Sequence, residues 1–490
     1  MNSSLAELVQ GLGAELTGPG DTPILEIAHD SRRVAPGQLF VALRGQSADG
    51  HDFVHQAARA GAAALLVDRE LPDPPDGIPR ARVADARAAL PLVARRLFGD
   101  PARDLTLVGI TGTNGKTSSV RMLESVLRAA GLSSGSMGTI SVRYPGAEEP
   151  AELTTAESSD LLRSLKRMRD AGASHAVVEV SSHALALGRV SGLRFEVAVC
   201  TNLSQDHLDF HGDMESYAEA KARLFGPDHL AGTAVVKAGD AFGERLAERA
   251  LGAGARVIRF GRENPEADVS SSSERVSLER ARFEISAGER SVPVKLTLPG
   301  DYQLENALAA AGAALALGID LRAVRCGLAS CPPVPGRLER VGQGRPIVLV
   351  DYAHTPEALE RVLSRVRPLV RGRLISVFGC GGDRDRSKRA PMARAACAHS
   401  DHAIATSDNP RTEDPGAILR DLAEGLSGSH ETIQDRSEAI AHAIRSAAPD
   451  DVVVIAGKGH ETYQIVGRTK RDFDDRVEAR RALETRGERA

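Results

Sequence analysis

The sequence predicts an α/β fold of three domains built on parallel sheets. Three observations predict it. A chain of 490 residues exceeds what one ordinary hydrophobic core organises. The run LTLVGI (105–110) passes through a glycine-rich turn into SSVRMLESVLRAAG, where Val120, Leu123, Val126 and Leu127 recur at helical spacing. In the last third, four apolar runs alternate with helical stretches, and every run ends in polar residues.

Residues 1–102 alternate short apolar runs, GQLFVALRG and AAALLV, with turn clusters, and read as a small α/β domain interrupted by the surface loop LPDPPDGIP. Residues 103–335 read as the central domain. Its runs HAVVEV (175–180) and VAVCTNL (197–203) end at SSH and SQDHLDFHG, the pattern of a mostly parallel sheet with helices on both faces. The serines at 270–273 read as a loop tip, and CPPVPGR (331–337) as a stiff linker. Residues 336–490 read as a Rossmann-like domain, with strands in PIVLVDYAHT, LISVFGCGGDRD, AIATSDNPR and VVVIAGKGHE. Ligands of open α/β sheets bind beyond the carboxyl ends of the strands, so these four tails are expected to share one cleft.

The composition, 42% hydrophobic and 26% charged with a net charge of -4, is that of a soluble globular protein. Its 62 Lys and Arg are spread among 66 Asp and Glu without long single-sign runs, which argues against nucleic acid and leaves small anionic ligands open. Cys200, Cys326, Cys331, Cys380 and Cys397 form no CxxC pair and read as reduced thiols. The start of the chain has no signal-like segment, and no run of about 18 apolar residues occurs. A cytoplasmic, monomeric enzyme without membrane insertion is expected.

TGTNGKT follows the strand 105–110 and opens a helix. Its glycines let the backbone of Gly112, Thr113, Asn114 and Gly115 wrap phosphate oxygens, Lys116 brings charge to the terminal phosphates, and Thr117 can hold Mg²⁺. This is a P-loop in context although the strict GxxxxGK[ST] spacing fails: Ile110 stands where the first glycine belongs, and the glycines fall at 109, 112 and 115.

Glu179 ends one strand and His207 follows the next, so both can face the loop if the three strands are neighbours. Mg²⁺ prefers oxygen, which suits Glu179 better than His207, and Zn²⁺ stays an alternative. In MESYAEAKARLF, Lys221 falls on the apolar face made by Met214, Tyr217, Leu224 and Phe225. Either its ammonium reaches water past a packed stem, or it faces a ligand with an amine whose protonation shifts easily and invites modification.

HDSRRVAPGQLFVALRG, VGITGTNGKT, EVSSHALALGRV, TNLSQDHLDFHGDMESYAEAKARLF, PGRLERV, VDYAHTPEAL, FGCGGDRDRSKR, SDNPRTEDP and AGKGHETYQIVG follow one another along nearly the whole chain. In these motifs the sequence resembles the Mur ligases, and among them those that extend UDP-MurNAc-L-Ala-D-Glu. The family loop carries its glycines at this same spacing. The resemblance implies an N-terminal domain holding the UDP group, a central ATPase domain and a C-terminal domain bringing the amino acid. It implies a carbamylated Lys221 that, with Thr117, Glu179 and His207, serves Mg²⁺. Lys116, Lys221, Glu179 and His207 are then the catalytic set. It places Asn306, Arg337 and Asp351 beside ATP, and Ser31, Thr154, Thr155, Ser181 and Arg189 beside the UDP-sugar peptide. The chain departs from the family at Leu187, where relatives often have Gln, and at Lys237 and Gly239, which replace a commoner asparagine-bearing loop.

The amino acid implied is meso-diaminopimelate, whose distal end needs a cation for its carboxylate and an anion for its ammonium. Arg411, after Asp408, Asn409 and Pro410, can supply the first; Glu461 can supply the second, with Gly457 and Arg384 completing the site. An arginine left unpaired would penalise lysine, by up to roughly 10⁴-fold. The expected reaction is ATP-dependent amide formation through an acyl phosphate, with His354 and His460 as undistinguished candidates for taking the proton of the attacking amine. The rivals are a ligase of the same superfamily adding lysine or glutamate, and a P-loop regulatory ATP-binding protein. The chain contains no NKxD guanine motif.

Overall fold

In the computed structural model, which describes residues 3–45 and 48–487, the strand Thr106–Thr111 lies between His175–Glu179 and Phe195–Cys200, parallel to both. Val108 pairs with Val177 on one side and Val197 on the other. The parallel run continues outward to Ser134–Met137 on the Glu179 side, and through Leu230–Lys237 to Arg256–Arg262 on the other. An antiparallel hairpin, Ser141–Tyr144 with Ala147–Pro150, finishes the first edge. Between its terminal threonines the central strand carries only Leu107, Val108, Gly109 and Ile110, because both of its faces are covered, the usual state of a parallel sheet.

The chain divides into two units, one reaching Ser270 and including Leu308–Gly327, the other holding Ser271–Ala307 and everything from Leu328 onward. Besides the sheet just described, the first unit carries a five-stranded sheet ordered Glu15–Thr17, Arg80–Arg82, Ala64–Val67, Gln38–Val41 and Glu26–Ala28, antiparallel only at its Glu15–Thr17 edge. Helix Ala86–Phe98 begins at Asp85, whose carboxylate accepts from Arg87 N and Ala88 N, and it buries Ala89, Leu90, Val93 and Phe98.

The second unit is built on a six-stranded sheet ordered Glu339–Val341, Ile347–Asp351, Val452–Ala456, Leu374–Phe378, His402–Ala405 and His430–Thr432. Only its first strand runs antiparallel. The four apolar runs of the sequence are its four central strands. Ile347 and Leu349 pack into one core with Leu359, Leu363, Met392 and Leu422; Val348 and Val350 pack into another with Ile440, Ile444 and Ala479. Alternate side chains thus serve two apolar layers, which is why the strands read as continuous apolar runs rather than alternating ones. Four carboxyl ends emerge along one edge.

The serine run is not a loop tip. Val269–Val276 is a strand, in which Ser271 is buried and donates to Glu274 Oε1 at 2.6 Å. Short hydroxyls that find an internal acceptor are compatible with an extended backbone, and composition alone hid this. Among the described residues, no helix is long and apolar enough to cross a membrane.

Candidate functional site

In the first unit, the turn after Thr106–Thr111 holds Gly112 at φ 140° and Gly115 at φ 85°, both closed to most side chains. A Cβ on Gly112 would also fall onto Thr201 Oγ1. Helix Lys116–Ala129 starts directly after Gly115, so its first turn presents the anion-receptive end expected of a phosphate loop. Lys116 Nζ donates back to Gly112 O at 2.9 Å and Thr113 O at 3.0 Å.

The loop is fastened to the tail of the neighbouring strand. Thr113 N donates to Asn202 O at 3.0 Å and Thr113 Oγ1 to Ser204 O at 3.0 Å, while Tyr217 Oη lies 3.0 Å from the same hydroxyl. Asn114 N donates to Asn202 Oδ1 at 3.0 Å, and Thr201 Oγ1 donates to Asn114 O at 2.6 Å. Sequence reasoning passed over Thr201, Asn202 and Ser204, and read Tyr217 only as part of an apolar helix face. The signal was TNLS itself, a row of short polar residues directly after a buried strand.

Glu179 is 1% exposed at the end of its strand. Its carboxylate accepts from Thr139 N at 3.1 Å and Thr139 Oγ1 at 3.0 Å, and a Cβ on Gly138 would overlap it. The glycine in SMGT was the unread signal for this close approach. Glu179 and Thr117 line one small cleft. Lys221, on helix Met214–Ala222, is also 1% exposed. It does not snorkel: Nζ donates to Gly112 O at 3.0 Å and lies over the Tyr217 ring, 4.5 Å from its centroid. Burial, then the charge of Lys116, holds its amine well below the usual lysine range.

His207 opens the short helix Leu208–His211 at φ 53° and is half-exposed. Its ring sits 4.8 Å from that of His183 and 6.1 Å from that of Tyr217. Burial lowers its pKa, and Lys116 and Lys221 lower it further. Among the described residues, no three His, Cys, Asp or Glu side chains converge as a metal site would require. Thr117 and Glu179 offer oxygen, and a carbamate on Lys221 would add more, so the donor chemistry fits a hard cation such as Mg²⁺ better than Zn²⁺.

Thr154, Thr155, Ser181 and Arg189 form one polar cluster behind Glu179. Thr154 and Thr139 share a hydroxyl contact of 3.0 Å. Thr155 Oγ1 donates to Glu179 O at 2.7 Å and accepts from Ser181 N at 3.0 Å, and Arg189 Nη1 donates to Thr155 O at 3.0 Å. Ser181 caps helix Ser182–Ala186. Ser31, in a turn of the five-stranded-sheet region, donates instead to Gln56 Oε1 at 3.2 Å. Leu187 stands just beyond the helix, without a polar group to offer the cluster.

In the second unit, Asn306 Nδ2 donates to Gln303 Oε1 at 2.9 Å, both residues being buried. Asp351 accepts from Leu338 N at 2.7 Å and Ala353 N at 2.9 Å, and burial raises its pKa. Arg337 lies over the Tyr352 ring, 5.0 Å from its centroid.

The tails after His402–Ala405 and Val452–Ala456 meet. Asn409 Nδ2 donates to Glu461 Oε2 at 2.9 Å, while Asn409 Oδ1 accepts from Lys458 Nζ at 3.1 Å and Ile465 N at 2.9 Å. Lys458 Nζ also donates to Glu461 Oε2 at 3.0 Å and lies 3.6 Å from Asp408 Oδ1. This lysine, 0% exposed, was not anticipated, although a lysine between two glycines at a strand end marks a close-packed position. Gly457, at φ 119°, leaves room for Asp408. Arg411 adopts φ 51° and donates from Nη1 to Gly382 O at 2.7 Å, its backbone bracketed by Ile465 O and Gly467 N. Arg384 and Arg411 both approach Gly381. Pro410 links the two halves of the turn, its carbonyl accepting from Glu413 N at 3.2 Å.

The chain was compared with known proteins. The family model described as the Mur ligase middle domain matches residues 110–314, the Mur ligase glutamate ligase domain matches 336–459, and the Mur ligase family catalytic domain matches 23–96. The UDP-N-acetylmuramoyl-L-alanyl-D-glutamate--2,6-diaminopimelate ligase of Gloeobacter violaceus is 46% identical over 99% of both chains, and that of Geobacillus kaustophilus 43% over 96% of both. A solved structure of a ligase with the same description is 34% identical, covers 99% of this chain and 100% of its own, and superposes with a TM-score of 0.70. The MurF ligase of Thermotoga maritima in complex with ADP, 21% identical, shares the fold over 95% of this chain and 98% of its own, with a TM-score of 0.64.

Proposed function

The chain belongs to the Mur ligase family, and on that premise we propose that it joins meso-2,6-diaminopimelate to the D-Glu side-chain carboxylate of UDP-MurNAc-L-Ala-D-Glu at the expense of ATP. The observation that carries this is the phosphate loop: Gly112 and Gly115 at positive φ, Lys116 heading the helix, and Glu179 and the buried Lys221 on the elements beside it. Domains at 1–102, 103–335 and 336–490, for the UDP-substrate, ATP and amino acid respectively, are part of the reading, and the three separately matched family segments support them. So is a cytoplasmic, monomeric setting, which five cysteines without a disulfide suit.

In the first step the D-Glu carboxylate attacks the terminal phosphorus of ATP, ADP leaves, and an acyl phosphate forms. The loop amides and Lys116 hold the phosphates in line and offset the charge that spreads over the moving group. Thr117, Glu179, His207 and a carbamylated Lys221 would hold Mg²⁺, which when bound neutralises phosphate charge. Thr154, Thr155, Ser181 and Arg189 orient the acceptor, with Ser31 on the uridine side, and Asn306, Arg337 and Asp351 serve the nucleotide. In the second step the diaminopimelate amine, oriented by Arg384, Arg411, the 408–410 turn, Gly457 and Glu461, attacks the acyl carbon and phosphate departs. His354 suits the proton better than His460: its Nδ1 donates to Tyr352 O at 2.8 Å, leaving Nε2 as an acceptor. Burial has weakened His460 as a base, to a pKa of about 4.

ATP turnover with UDP-MurNAc-L-Ala-D-Glu and either meso-diaminopimelate or L-lysine tests this. ADP release is expected to require the UDP-sugar peptide together with diaminopimelate. Comparable use of lysine would remove the assigned amino acid, and hydrolysis indifferent to both substrates would remove the ligase.

A further inference from the structure

Glu157 occupies the N-cap of helix Ser158–Asp170, yet its side chain makes no capping hydrogen bond. A shorter Ser, Thr, Asp or Asn there would accept from the first-turn amides. The longer carboxylate is committed elsewhere. It is 7% exposed and lies between two guanidinium groups: Arg87 Nη1 donates to Oε2 at 2.9 Å, and Arg189 Nε is in ion-pair contact with Oε1. Arg87, in the first turn of helix Ala86–Phe98, also donates from Nη2 to Arg44 O at 3.1 Å. One carboxylate therefore ties the segment after Gln38–Val41, the 154–157 segment and the turn after Ser182–Ala186.

Two arginines against one glutamate leave an excess positive charge. Arg189 spends Nε on Glu157 and Nη1 on Thr155 O, and among the described residues Nη2 makes no hydrogen bond. The planar guanidinium is thus held at two of its three nitrogens beside the cluster of Thr155 and Ser181, with the Nη2 donors unspent.

We propose that Glu157 is a positioning residue for the UDP-linked substrate: clamped by Arg87, it fixes the Arg189 guanidinium so that the Nη2 edge meets an anionic group of that substrate. The inference rests on the ligase reading above. The anion is either the D-Glu carboxylate or the pyrophosphate.

Kinetics of Glu157→Gln with ATP and diaminopimelate saturating test it, provided wild-type turnover depends on the UDP-sugar peptide; absence of that dependence defeats the ligase reading instead. KM for UDP-MurNAc-L-Ala-D-Glu is expected to rise about tenfold, while KM for ATP and for diaminopimelate moves less than about twofold. In an Arg189→Met background the same substitution is expected to add less than about twofold, because Glu157 acts through Arg189. Arg87→Met, which leaves Glu157 and Arg189 in place, is expected to raise the same KM about threefold and serves if Glu157→Gln does not fold. Calorimetry separates the anions: weakened binding of UDP-MurNAc-L-Ala-D-Glu alone assigns the carboxylate, and equal weakening of UDP-MurNAc-L-Ala assigns the pyrophosphate. Unchanged KM in both single variants, or a full additive effect without Arg189, overturns the proposal.

Discussion

Lys116 and Lys221 donate to the same atom, the carbonyl oxygen of Gly112, at 2.9 and 3.0 Å. Two ammonium groups this close repel, and Lys221 has almost no contact with solvent to relieve it. Burial, then the charge of Lys116, holds its pKa well below the usual lysine range, which enlarges the neutral, nucleophilic share of the amine.

Carbon dioxide is expected to add to that amine, giving a carbamate and a proton. With ¹³C-bicarbonate, a carbamate resonance should appear in the wild type and be missing from Lys221→Arg. Lys221→Met should lower kcat at least about 100-fold, by removing oxygen donors from the phosphate site. A fully active Lys221→Met would rule the modification out as a functional feature.

Asn409 spends three of its four side-chain hydrogen-bonding positions on the protein: its amide donates once to Glu461, and its oxygen takes Lys458 Nζ and Ile465 N. Lys458 donates to the same Glu461 oxygen, Oε2, at 3.0 Å. Lys458→Met should therefore raise KM for diaminopimelate about tenfold with little change in KM for ATP. Arg411→Ala should cut the preference for diaminopimelate over lysine by about 10²-fold or more. Competition assays with both amino acids measure each; an undiminished preference in Arg411→Ala counts against its assignment.

Arg436 and Asp475 are a fully buried pair, joined by two bonds of 2.7 Å, and Arg436 Nη2 also donates to Ala456 O at 2.9 Å. Asp475→Ala leaves a buried guanidinium without its partner and should destabilise the protein by about 3–5 kcal/mol in denaturant titrations. A loss under about 1 kcal/mol would show that solvent reaches the arginine.

His460 has its pKa lowered from 6.5 to about 4 by burial, with Arg337 and Arg476 adding to the effect. The unfolded chain therefore binds a proton that the folded chain refuses between those values, and stability rises with pH across that window. Acidification from pH 6.5 toward 4 should destabilise the wild type more than His460→Gln. Parallel stability curves for the two proteins would contradict this.

Much of the fold was legible where one physical rule acted alone. The strands carrying Val108, Leu349 and Val454 are buried on both faces, so their apolar runs needed no partner to be recognised. The edge strands Glu339–Val341 and His430–Thr432 and the hairpin Tyr463–Val466 with Thr469–Asp472 were not, because short strands that are exposed or only partly buried owe their form to pairing rather than to composition. At the candidate site, the residues with distinctive chemistry, Lys116, Glu179, Arg411 and Glu461, stood out. Thr139, Thr201, Asn202 and Lys458 did not, since their importance lies in which atoms they reach across tens of residues of chain. Lys221 was legible as an oddity on an apolar face, but only its depth of burial decided between snorkelling and an inward role.

The bonds from Thr113 and Asn114 to Asn202 and Ser204 are made by the protein to itself. On the proposed reading, the receptacle for a triphosphate is shaped before a nucleotide arrives, with the Thr113 and Asn114 amides spent on that shape and the head of helix Lys116–Ala129 left to face the phosphates. Little ordering entropy then opposes capture, and a spent diphosphate can depart without unravelling the backbone that held it.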